Sequence, residues 1–160
     1  MSTLKVNNVQ NTSGNNILGT IRQSKIGVLS QALNGNSTSW ADMGISQTIT
    51  LSSTSSKLLI TLSTTPYAGG SSAERHAMRV VYTPSGGSTT TAIHDDYYLY
   101  RTNDDWKSSS GMHQALVSPS STAEITVKAQ YKRLSGGDML HLFTSPNLSN
   151  DTILLQEVVE

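Results

Sequence analysis

The chain has 160 residues, with 11 Lys plus Arg against 11 Asp plus Glu, so it is sized for one domain and a short appendage and carries no net charge that would draw it to nucleic acid or a membrane surface. No cysteine is present, which excludes a disulfide framework and thiolate catalysis. No apolar run approaches the ~20 residues of a membrane span, and the N-terminus lacks a basic-then-apolar leader pattern, so a soluble, unprocessed chain is expected.

Residues 1–27 differ from the rest: they hold Lys5, Arg22 and Lys25, and the first acid in the chain is Asp42. Leu4, Val6 and Val9 form a short apolar motif, followed by the turn-forming NTSGNN. Such a stretch cannot build a core, so it is expected to be an anchoring arm. Leu4, Lys5, Val6, Val9, Arg22 and Lys25 are its expected contacts.

From Val28 to the end the pattern is all-β. VLSQAL (28–33) is the first expected strand. In ISQTITLSSTSSKLLITLS (45–63), Ile45, Ile49 and Leu51 share one side of an extended chain, while Ser46, Thr48 and Thr50 share the other. After a Ser/Thr break, Leu58, Ile60 and Leu62 again share a side, which makes a hairpin with one buried face. AMRVVY (77–82), TAIHDDYYLY (91–100), HQALV (113–117), AEITVKAQYKR (123–133), DMLHLFT (138–144) and TILLQEVV (152–159) complete the set, separated by Gly/Ser-rich turns. Ile125, Val127, Ala129 and Tyr131 alternate with Thr126, Lys128, Gln130 and Lys132, the cleanest one-sided strand. This many short strands without helical period predicts an antiparallel jelly-roll β-sandwich over 28–160, with residues 1–27 as its extended arm.

The outward positions favour hydroxyls over charge. There are 25 Ser and 19 Thr, whereas only 14% of residues are charged, so these outer faces suit packing between subunits, where like charges would otherwise meet around a symmetry axis.

Signs of chemistry are few. His76, His94, His113 and His141 lie in separate strands without metal-ligand spacing, no G-x-S-x-G elbow occurs, and no cofactor is expected. The densest polar segment is HDDYYLYRTNDDWK (94–107). Its Asp95, Asp96, Tyr98, Tyr100, Asp104, Asp105 and Trp106 could contact a receptor or glycan, acids taking hydroxyl hydrogen bonds and rings stacking on sugar faces. The plainer reading is a Tyr-rich strand followed by a solvated loop. By alternation Tyr97 and Leu99 would point inward, with Tyr98, Tyr100 and Trp106 outward.

Several segments together resemble a known group. STLKVNNVQNTSGN resembles the N-terminal segment of fibre-like virion proteins of tailed phages, especially those infecting marine bacteria and cyanobacteria. STSWADMGISQTITLSSTSSKLLITLS is similar to their strand, turn and hairpin, and SPSSTAEITVKAQYKRLSG followed by TILLQEVV to their last three strands. The resemblance runs through nearly the whole chain in the same order. It implies a tumour-necrosis-factor-like or related jelly roll, a homotrimer on the virion, and attachment to other virion proteins through the arm. No shaft or coiled coil separates arm from sandwich, so a short fibre, spike or head decoration is expected in place of a long tail fibre. The expectation is therefore a non-enzymatic virion structural protein, with host attachment left as a separate question, and without membrane insertion or nucleic-acid binding. The alternative is a lectin-like carbohydrate-binding module; a glycan depolymerase would need paired carboxylates in a groove.

Overall fold

The computed structural model describes residues 20–29, 33–65, 67–69, 74–99, 107–108, 111–135, 139–142 and 151–159, with side chains described for these apart from 20, 33–34, 67–69, 74–75, 95–99, 107–108 and 139–142. The described residues contain strands and turns and no helix. Eight long strands form two sheets. The first joins β1 (Thr20–Val28), β12 (Thr152–Val159), β4 (Lys57–Thr64) and β9 (Gly111–Val117), in that order. The second joins β3 (Ala41–Thr50), β10 (Glu124–Ser135), β6 (Glu74–Pro84) and β7 (Thr90–Leu99). Counted along the chain, the long strands run 1-8-3-6 in one sheet and 2-7-4-5 in the other, all antiparallel. Two interleaved Greek keys give this order, so the expected jelly roll is the observed fold. Four short strands, β2 (Leu33–Gly35), β11 (Met139–Leu142), β5 (Tyr67–Gly69) and β8 (Lys107–Ser108), make a small third sheet.

The alternation seen in the sequence sets the core. Ile45, Ile49, Leu51, Leu58, Ile60, Leu62, Ile125 and Val127 are all buried, and Ile153 and Leu155 join them from β12. Each such side chain contributes about 1.5–3 kcal/mol on transfer from water. β3 carries a bulge where the ADMG motif lies: Ser46 pairs with Lys128 and Asp42 with Gln130, so three residues of β3 stand opposite one of β10. Gly44 takes the extra place at φ +78°, which lets its two neighbours, Met43 and Ile45, both be buried.

β1 is where the structure departs most from the sequence expectation. It begins at Thr20 and pairs along its length with β12, so Thr20–Gly27 belong to the sandwich, and the boundary expected at 27/28 falls inside a strand. The expected strand 28–33 does not form as a unit, because Val28 ends β1 and Leu33 opens β2. The cause is the composition of the inward side of β1. In register with Glu157, Leu155 and Ile153 stand Gln23, Lys25 and Gly27, none of which looks like a core residue. Gly27 has a purpose there: a Cβ at this position would run into the backbone oxygen of Ser46 and come within 3.0 Å of the Ile153 side chain. It is the point at which β1 crosses closely over β3, and the Gln47 amide donates to the Ile26 carbonyl beside it at 2.6 Å.

Candidate functional site

The sandwich has two unlike outer faces. On the β1-β12-β4-β9 sheet, the register places Ile26, Leu154, Thr61 and Gln114 in one cross-strand row, and Val28, Thr152, Ser63 and Met112 in the next. Ile21, Ile26, Val28, Met112 and Leu116 are all exposed, Met112 by 68%. The polar groups between them are uncharged and bond across strands, as Gln114 Nε2 does to Thr61 Oγ1 at 3.0 Å. Across the central strands β12 and β4, Lys57 is the one charged residue on this face.

The β3-β10-β6-β7 sheet carries the charge. Asp42, Gln130, Arg79 and His94 form one row across its four strands. Arg79 Nε donates to Gln130 Oε1 at 2.8 Å, Gln130 Nε2 donates to Asp42 Oδ1 at 2.8 Å, and Lys128 Nζ pairs with Asp42 Oδ2 at 3.0 Å. The hydrogen bond from Gln130, aided by Lys128, holds the Asp42 carboxyl below its ordinary value despite partial burial. Trp40, just ahead of β3, lies over this row. The Arg79 guanidinium is 4.4 Å and the Lys132 ammonium 5.1 Å from the ring centroid, and the His94 ring meets it edge-on at 5.7 Å. Sequence reasoning passed over Trp40, because it stands alone between a Ser/Thr turn and a strand. The outward alternation of Lys128, Gln130 and Lys132 was the signal that this face is charged.

A third polar cluster is internal. Glu157 is buried and accepts from Ser52, Ser56 and Gln23, each of which comes from a different part of the chain than β12. The Ser-rich break between β3 and β4 thus folds inward onto a carboxylate. Burial pushes the Glu157 pKa up, but the hydrogen bonds from Ser52, Gln23 and Ser56 outweigh it and bring it to about 2.

Of the expected receptor residues, Asp95, Asp96 and Tyr98 lie in β7, where their backbones pair with Met78, Ala77 and Arg75. The expected orientations of Tyr97, Leu99 and Tyr98 fall on side chains outside the description, and Tyr100, Asp104, Asp105 and Trp106 lie outside the described residues. Among the expected arm contacts, Arg22 and Lys25 are in β1, while Leu4, Lys5, Val6 and Val9 are outside the described residues. No group of three or more His, Asp or Glu among the described residues is placed to hold a metal ion. A depression of about 360 Å³ lies between the β6–β7 turn and the start of β10, lined by Thr83, Pro84, Ser85, Glu124, Thr126 and Lys128.

No family model matches the chain, and no curated protein matches it. Among solved structures it is similar to a chain from a structure of infectious bursal disease virus, Gx strain, at a TM-score of 0.49 and 8% identity. The likeness covers 87% of this chain and 33% of the other, so this chain spans about a third of that one's length.

Proposed function

We propose that this protein is a non-enzymatic virion structural subunit, a jelly-roll fibre, spike or decoration protein that assembles as a homotrimer and attaches through the segment ahead of β1. The observation that carries the reading is the segregation of charge between the two outer faces. A sheet face that exposes several large apolar side chains among uncharged polar ones marks a surface that is covered in the working state. The occupant that fits this one is a second and third copy of the same chain. Copies meeting around an axis bring identical groups together, and a face whose polar members are Ser, Thr and Gln makes that approach without gathering like charges. Lys57, at the start of β4, lies at the edge of this surface. The resemblance of the sequence to phage fibre-like proteins supports the virion location and the anchoring role of the N-terminal segment.

Light scattering tests this reading on the full chain. The expected mass is three times that of the chain, and Leu116→Asp, at an exposed position of β9, should give a folded monomer. A wild-type monomer at micromolar concentration overturns the assembly, and an unchanged trimer in Leu116→Asp moves the interface elsewhere.

A further inference from the structure

We infer that the outer face of the β3-β10-β6-β7 sheet binds an acidic polysaccharide, through an anion site formed by Arg79 and Lys132 beside the Trp40 ring. This inference stands apart from the proposed assembly, which uses the opposite sheet.

The geometry gathers two cations on one indole, with Arg79 at 4.4 Å and Lys132 at 5.1 Å from its centroid. Among the described residues neither has a carboxylate partner, since Asp42 is taken by Lys128 and Gln130. Two like charges held together in this way leave a positive potential that an anion completes. Arg79 is also oriented in advance. Its Nε–H is spent on Gln130 and its guanidinium carbon sits over the ring, so the terminal amino groups form a fork suited to the paired oxygens of a carboxylate or sulfate. Lys132 supplies a second, point-like charge. Half-buried Trp40 adds the apolar body on which a sugar ring rests, and exposed His94 places its ring nitrogens along the same row of the sheet.

The same features disfavour nucleic acid. Phosphate binding of useful strength draws on many cations in a stripe, whereas Asp42 offsets Lys128 here and the chain as a whole has no net charge. A saccharide with one carboxylate or sulfate per one or two rings matches a site of two cations and one aromatic.

Calorimetric titration of the full protein with polygalacturonate, dextran sulfate and neutral dextran tests the assignment. Both acidic polymers should bind, neutral dextran should not, and Arg79→Gln and Lys132→Ala should each weaken binding at least tenfold. Lys57→Gln, on the other sheet, should bind as wild type. Thermal unfolding of each variant separates loss of the site from loss of the fold, and using two site variants keeps the test open if one is unstable. Absence of binding to both acidic polymers, equal binding of neutral dextran, or equal weakening by Lys57→Gln would overturn the inference. Duplex DNA binding as tightly as dextran sulfate would also overturn it, because the surface would then be a general polyanion binder.

Discussion

Ser52 gives both its backbone N–H and its hydroxyl to one oxygen, Oε1 of Glu157, at 2.7 and 2.5 Å. Ser56 Oγ reaches the same oxygen at 2.7 Å, and Gln23 Nε2 takes the other at 2.7 Å while a second contact ties it to the Thr50 carbonyl. One carboxylate therefore fastens β1, the β3–β4 turn and β12 to each other. Its folded pKa of about 2 lies below the ordinary 4.5, so the unfolded chain binds a proton in this range that the folded chain does not. The stability this contributes, about 3 kcal/mol, is complete above pH 4.5 and is lost as pH falls toward 2. Glu157→Gln should flatten the acid limb of a denaturation-versus-pH curve in that window, and Ser52→Ala should cost about 1.5–3 kcal/mol at neutral pH. An acid limb in Glu157→Gln as steep as in wild type would contradict the account.

His76 acts in a higher window. It is fully buried on β6, neither ring nitrogen has a hydrogen-bond partner among the described residues, and burial, with a smaller contribution from the Arg133 charge, lowers its pKa from 6.5 to about 4. The neutral ring is the folded form, so stability is complete above pH 6.5 and falls by about 3 kcal/mol as pH drops to 4. His76→Leu removes two nitrogens that have no partner among the described residues. It should leave stability at pH 7 equal or higher and abolish the slope between pH 6.5 and 4, as measured by urea midpoints.

Gly27→Ala is expected to destabilise by about 1–3 kcal/mol, because the added methyl meets the Ser46 carbonyl and its backbone cannot step aside as a flexible side-chain tip would. Hydrogen exchange should show the loss concentrated in β1 and its partner positions on β12. Uniform loss across both sheets, or none, would show that β1 is not held at this crossing.

Two truncations separate anchor from strand. Removing residues 1–19 leaves every described pairing of β1 in place, so the sandwich should keep its unfolding midpoint. Removing 1–27 deletes all but the last residue of β1, the Gln23 contact to Glu157 and the edge of a sheet. It should cost several degrees in Tm, or the fold. Equal midpoints for the two would show that β1 contributes nothing to the domain.

The fold was legible wherever one face is core. From Ile45 to Leu51, Leu58 to Leu62 and Ile125 to Tyr131, period-2 alternation marks residues that are buried in the structure. β1 was illegible for a physical reason: its outer side carries Ile21, Ile26 and Val28, and its inner side Gln23, Lys25 and Gly27, the reverse of an ordinary half-buried strand. The hydroxyl-rich turn reads in the sequence only as a break between strands, but Ser56 is buried against Glu157, a contact 101 positions away that no local pattern announces. Trp40 escaped for the same reason, since Arg79 and His94 reach it only through strand pairing.

Among the described strands β1 has a single neighbour in its sheet, β12, and their pairing joins Thr20 to Val159. As the chain leaves the ribosome, an early strand must therefore wait, unpaired, for the emergence of one that follows it by more than a hundred residues. Closing so long a loop is slow, and until it happens β12 offers an open edge. A neighbouring molecule's β1 carries the same sequence and fits that edge as well as the chain's own. Refolding at high protein concentration should accordingly trap strand-exchanged oligomers, and dilution during refolding should raise the yield of correctly closed sandwiches.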